Sequence, residues 1–262
     1  MSVSKISLRQ HLLQGGCSYG PLLLSDSPVV AEIMALAGYG HIVIDHEHAQ
    51  TDVRSGQALL QAIQSTHSIT PIPATPIIRV PAHDQVYMKK ALDTLRLPGG
   101  VLVPMVNDAA TAYAVVQSTR YPASGWGASE KYAQQCQEDL LVMVQVETVA
   151  GVAAIPEIAA VPGVDGIFLG PMDLSCSIGK MGQFDDPEVA EVIAAAELAV
   201  NESQAFLGGF RSPSRSIRSM VEAGYAFVCG SIDVGLLRDA ARLDAIAGFS
   251  ALQSEDWPKD KK

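Results

Sequence analysis

Short, almost wholly apolar runs recur along the chain, each followed by a stretch with helical patterning. No other feature limits the fold as much. The runs fall at 20–25, 41–45, 77–80, 101–106, 140–147, 166–170, 205–210 and 226–230. They are short, and they lack the strict apolar–polar alternation of a half-exposed strand. That is the pattern of parallel strands covered on both faces. The intervening stretches, 28–37, 54–64, 85–95, 109–118, 149–160, 187–202, 214–223 and 234–245, are read as helices. Ser27 followed by Pro28 reads as N-cap and first helical residue, and Gly38 and Gly224 read as C-terminal caps. Eight strand–helix units within 262 residues predict one α/β domain over the whole chain, a closed (β/α)8 TIM barrel. The alternative is a doubly wound open sheet. Its usual nucleotide fingerprints, GxGxxG or GxxxxGK[ST], do not follow the first strand. The segment 121–138 is the least regular.

Charge excludes several function classes. The net charge is −10 with only 18 Lys and Arg, and apart from the short tail at Lys259–Lys262 these form no run. No nucleic-acid partner is expected, because that needs a basic face. A small anion remains compatible, since one arginine and a metal can override net charge locally. No apolar run approaches a membrane span, and the N-terminal residues lack a signal-peptide apolar region. Cys17, Cys136, Cys176 and Cys229 are scattered without a CxxC pair, so neither a zinc site nor a disulfide framework is predicted. These features predict a cytoplasmic protein with no membrane partner.

In barrels of this kind chemistry gathers where strands end and βα loops begin. Strand 2 runs into IDHEHAQ, with Asp45, His46, Glu47 and His48; strand 3 ends at Arg79; strand 5 ends VQVET, with Gln145 and Glu147; strand 6 ends GPMDLS, with Asp173. Either Glu147 or Asp173 alone could be a helix or turn cap. Together, on adjacent strands, they suit a hard cation completed by water and substrate oxygens, Mg²⁺ or its relatives Mn²⁺ and Co²⁺. Arg79 could be an ordinary ion-pair partner. Its place after an apolar run would draw it into the barrel mouth, where a guanidinium fits a substrate carboxylate. His48 could be a hydrogen-bonded loop residue or a general base. His11, His41, His67 and His83 read as surface or structural. No lysine ends a predicted strand, so Schiff-base chemistry has no candidate, and no G-x-S-x-G nucleophile elbow occurs.

The blocks SPVVAEIMALAGYGHIVIDHEHAQ, IIRVPAHDQVYMKKALD, VLVPMV, TRYP, VQVET, GVDGIFLGPMDLS and FVCGSIDVGLL occur in this order. In them the sequence resembles the HpcH/HpaI aldolases, the metal-dependent class II pyruvate aldolases, from about residue 22 to about 237. The resemblance implies a barrel of the phosphoenolpyruvate/pyruvate type. It makes Glu147 and Asp173 the metal ligands, Arg79 the holder of the pyruvate carboxylate or enolate, and His48 the general base with Asp93 as its acidic partner. Gln145 would line the site, Gly170 and Pro171 would form a turn facing the oxo acid, and Asp45 and Glu47 would support from behind. It also implies a homo-oligomer, and the apolar stripe Leu236, Leu237, Ala240, Leu243, Ile246 and Ala247 agrees. After TRYP the family carries a longer segment, which here is shortened around Gly125 and Trp126.

The implied reaction is cleavage of a 4-hydroxy-2-oxo acid to pyruvate and an aldehyde, with a small 2-oxo acid as partner and a divalent metal as cofactor. The alternatives are a CoA-ester lyase of citrate lyase type, an oxaloacetate decarboxylase, or a barrel weakened by its shortened loop that serves as a binding subunit.

Overall fold

In the computed structural model, which describes residues 6–120, 136 and 138–252, helix α1 (Leu8–Leu13) precedes strand β1 (Ser18–Leu23). The chain continues through α2 (Pro28–Leu36), β2 (His41–Asp45), α3 (Val53–Ser65), β3 (Thr75–Arg79), α4 (Gln85–Thr94), β4 (Gly99–Val103) and α5 (Ala109–Thr119). The second half runs β5 (Leu140–Val146), α6 (Val149–Ala153), α7 (Ile155–Ala159), β6 (Gly166–Leu169), α8 (Pro171–Ser177), α9 (Pro187–Asn201), β7 (Phe206–Phe210), α10 (Ile217–Glu222), β8 (Tyr225–Ile232) and α11 (Asp233–Leu252). The eight strands close in sequence order, and β8 pairs parallel with β1. The open-sheet alternative is thereby excluded.

The continuous apolar runs have a two-sided explanation. Successive strand residues point to opposite faces. Leu22, Val43, Ile77, Leu102, Leu141, Met143, Phe168 and Phe227 pack inside the barrel. Their neighbours Ile42, Ile44, Ile78, Val101, Val142, Val144 and Ile167 pack outward against helix residues such as Leu59, Met88 and Val115. Each strand therefore buries both faces and shows no polar alternation.

Helix ends follow the expected chemistry. Ser27 Oγ accepts from the Val30 N–H, and Asp52, Asp84 and Asp108 cap α3, α4 and α5. Gly38 and Gly224 have φ of 92° and 95°, the left-handed turn a C-terminal glycine permits. Other details differ from expectation. The single helix expected at 149–160 is two, because Pro156 has no N–H to continue the ladder. Helix α11 runs on to Leu252, with Gly248 inside it.

Helix α1, absent from the expected elements, closes the N-terminal end of the barrel. Leu8 and Leu12 join the interior cluster. Arg9 binds both Asp165 oxygens, ahead of β6, from 2.8–3.0 Å and reaches the Glu138 carbonyl ahead of β5. His41 is a core residue. Its ring stacks on Phe227 at 3.7 Å and its Nδ1 lies 2.7 Å from Ser18 Oγ. Burial pushes its pKa down to about 3, so it is neutral. Among the described residues no helix is long and apolar enough to cross a membrane.

Candidate active site

The polar side chains foreseen at strand ends collect at the C-terminal mouth. Asp45 ends β2 and Arg79 ends β3, and the two are register partners. Alternation turns both inward, above Val43 and Ile77. Arg79 Nε donates to Asp45 Oδ1 and Nη2 to Oδ2, each at 2.8 Å. The Phe210 ring lies 5.3 Å from the guanidinium carbon, and Glu47 Oε2 stands 3.1 Å from Nη1. This pairing uses one edge of the fork. On the other edge Glu47 already stands on Nη1, so an anionic ligand there would share that nitrogen with Glu47 or displace it. Asp45 also accepts from the Glu47 and His48 N–H groups at 3.0 and 3.3 Å. One buried carboxylate thus orients the arginine and folds the loop that carries Glu47 and His48.

Gln145 and Glu147 stand two residues apart on and just after β5, so both face inward. Gln145 Nε2 donates to Glu147 Oε2 in a short bond, and the Met105 N–H donates to Oε1 at 2.7 Å. Gly170 makes room for this carboxylate. A Cβ there would meet Glu147 Oε2 at 2.8 Å and Gln145 Nε2 at 3.1 Å. Pro171 follows as the first residue of α8. Asp173, exposed in the first turn of α8, acts electrostatically on both Glu147 and Glu47. Burial, against the opposing bonds from Gln145 and Met105, pushes the Glu147 pKa up to about 7, with Glu47 and Asp173 adding to the rise. Glu47 is likewise pushed up to about 7 by burial, opposed by Arg79 and reinforced by Asp45 and Asp173.

Carboxylates raised first by burial and then by one another fit a hard divalent cation, which would offset both effects. Gln145 Oε1 is buried without a hydrogen-bond partner, a further oxygen in the same place. Among the described residues no three His, Cys, Asp or Glu side chains group tightly enough to cage a metal. A cation here would take Glu147 and Asp173 and complete its shell with other oxygens, the habit of Mg²⁺.

His48 lies in the mouth but is exposed, with 61% of its side chain accessible. Its nearest carboxylate is Glu47, whose Oε1 is 3.8 Å from Nε2. No bond between His48 and Asp93 forms within one chain. Asp93 Oδ1 has no hydrogen-bond partner. Asp93 sits near the end of α4, a helix that starts at the barrel mouth and descends along its side. Eight residues of helix rise carry Asp93 roughly 12 Å below its start. Within one chain it cannot reach a loop at the mouth. His46 points away from the interior, to Tyr87 Oη at 2.9 Å. Two contributors escaped sequence reasoning, the Met105 backbone and Phe210. Phe210 could have been found as the inward position two after Gly208 on strand 7. The shortened segment around Gly125 and Trp126 lies outside the described residues.

Comparison with known proteins agrees with this architecture. A hydroxypyruvate/pyruvate aldolase of Deinococcus radiodurans is 37% identical, covering 95% of this chain and 92% of its own. A 4-hydroxy-2-oxo-heptane-1,7-dioate aldolase of Escherichia coli is 34% identical over 90% of this chain and 92% of its own. The crystal structure of an HpcH/HpaI aldolase/citrate lyase family protein from Burkholderia cenocepacia superposes with a TM-score of 0.84 at 32% identity, covering 92% of this chain and 98% of that one. With the family model also matching residues 19–240, the barrel and its carboxylate-lined mouth belong to a member of the HpcH/HpaI aldolase/citrate lyase family.

Proposed function

We propose that this protein is a class II pyruvate aldolase, a carbon–carbon lyase that splits a 4-hydroxy-2-oxo acid into pyruvate and an aldehyde. The observation that carries the reading is the buried Arg79–Asp45 pair, with Glu47 on its Nη1, standing at the same strand-end mouth as the bonded Gln145 and Glu147. The Nη1–Nη2 edge of Arg79, shared with or vacated by Glu47, would bind the substrate carboxylate and the developing enolate oxygen, and the rigid pairing of Arg79 with Asp45 removes reorganisation from that step. A divalent cation held by Glu147 and Asp173 supplies the additional positive charge that stabilises an enolate. Gln145 and the Gly170–Pro171 turn line the oxo-acid end.

His48 would take the proton of the C4 hydroxyl. As that proton leaves, the C3–C4 bond electrons pass to C2–C3, the aldehyde departs, and the enolate collects a proton at C3 to become pyruvate. Exposure suits His48 to this part, since it faces the solvent side where the aldehyde half enters. The carboxylate that supports it in this reading is Glu47.

The oxo-acid contacts come from strand ends, and the shortened segment removes none of them. The aldehyde half loses whatever that loop contributes in relatives, so broad aldehyde tolerance and a high KM are the expected behaviour. The metal is read as Mg²⁺, Mn²⁺ or Co²⁺ and the compartment as the cytoplasm. A second copy of the chain is proposed to cover α11, where Leu237, Leu243 and Phe249 are 67%, 69% and 65% exposed. The reading is tested by coupling pyruvate formation from 4-hydroxy-2-oxo acids to lactate dehydrogenase, with and without EDTA. EDTA-sensitive release, restored by added Mg²⁺ or Mn²⁺, is the expected result; release indifferent to EDTA rejects the metal-dependent reading.

A further inference from the structure

Strand β4 ends at Val103, and the chain turns at Pro104 into Met105. The φ of Met105 is 56°, in the left-handed region that residues with a side chain seldom enter. Its side chain does not account for this, being 52% exposed and in neither apolar cluster. The conformation instead directs a donor. The Met105 N–H points at Glu147 Oε1, 2.7 Å away. The next N–H, of Val106, donates to the Gln145 carbonyl at 3.1 Å. Two successive amides therefore tie the β4 turn to the residues that carry the site. Glu147 is held at both oxygens, by a backbone amide on one and by Gln145 Nε2 on the other.

We propose that Met105 is a positioning residue of the metal centre: its left-handed backbone, rather than its side chain, aims an N–H at Glu147 and fixes the orientation in which that carboxylate meets the cation. The inference rests on the metal-site reading given above. It explains why a residue with a Cβ in a strained conformation stands beside a ligand. Strain of this kind persists where the surroundings over-determine it, and here the surroundings are the two N–H hydrogen bonds to Glu147 and Gln145.

Because every residue but proline keeps its N–H, the test changes the cost of the conformation and leaves the donor in place. Glycine enters the left-handed region freely, alanine less readily, and a β-branched residue least. Mn²⁺ binding to the full chain is followed by the EPR signal of free Mn²⁺ for wild type, Met105→Gly, Met105→Ala and Met105→Val. Circular dichroism and thermal unfolding report whether each variant is folded. The expected result is that Met105→Gly binds Mn²⁺ about tenfold or more tighter than Met105→Val, the scale on which supporting groups alter metal affinity, with Met105→Ala between. If Met105→Val does not fold, the Gly–Ala difference carries the test. Equal affinities across the variants, or weaker binding by Met105→Gly than by Met105→Ala or Met105→Val, overturns the role of the Met105 backbone. Failure of the wild-type chain to bind Mn²⁺ overturns the metal-site reading itself.

Discussion

Asp45 and Arg79 face each other across neighbouring strands and close a two-pronged ion pair, both bonds 2.8 Å, with Asp45 wholly buried and Arg79 nearly so. A pair this dry cannot lose one partner cheaply. Asp45→Ala leaves a buried guanidinium half-paired and releases the Glu47 and His48 amides. The expected loss is about 3 kcal/mol or more of unfolding free energy, read by denaturant titration. Arg79→Lys keeps the charge and loses the fork. Its stability should fall less, while kcat/KM for the oxo acid drops by roughly 100-fold or more. Wild-type kinetics in Arg79→Lys would remove the arginine from substrate binding.

The raised carboxyls at Glu47 and Glu147 give the metal-free protein an unusual pH response. Their pKa values near 7 exceed the ordinary 4.5. Between those two values the folded chain holds more protons than the unfolded one. The stability these groups contribute is complete below pH 4.5 and is lost as pH rises through about 7. Metal reverses the trend, because binding requires the carboxylates deprotonated. For one such group the apparent metal affinity should rise about tenfold from pH 6 to pH 8. Thermal unfolding with and without Mn²⁺ checks both slopes. Glu147→Gln should flatten the metal-free slope and abolish the metal-induced shift; retention of that shift would exclude Glu147 as a ligand.

His48 should matter most where a hydroxyl proton must leave. His48→Ala is expected to lower aldol cleavage by about 100-fold or more, while oxaloacetate decarboxylation, which has no such proton, declines far less. Steady-state assays of both reactions on one preparation decide it. Equal losses would assign His48 to binding or structure instead of base catalysis.

The apolar face of α11 predicts association. Light scattering at micromolar concentration should report a homo-oligomer, and the double substitution Leu243→Glu and Phe249→Glu should yield smaller species. A wild-type monomer would leave that face without its proposed partner.

The strand-borne part of the site could be read from the chain because strand geometry is simple. A period of two places Gln145 and Glu147 on one face, and the end of an apolar run places Arg79 at the mouth. Asp93 is a different case: resemblance matches it to a role, but its depth along α4 keeps it from the mouth of its own chain, and linear order carries no such depth. Met105 was invisible because what matters is a backbone dihedral. No residue-type signal announces a left-handed methionine. His41 reads from the chain as surface or structural, and ring stacking with one hydroxyl decides for the second, letting it serve as core.

Helix α1 completes a plug: Leu8 and Leu12 extend the packed interior down to the floor, and Arg9 latches to Asp165. Whatever reaches Arg79 at the mouth must therefore leave by the way it came. For the proposed cleavage this imposes an order of traffic. The aldehyde, formed nearer the opening, departs first, and pyruvate, seated against Arg79, follows. Run in reverse, pyruvate must be aboard before an aldehyde can usefully arrive, so an aldehyde that lodges early obstructs its own reaction.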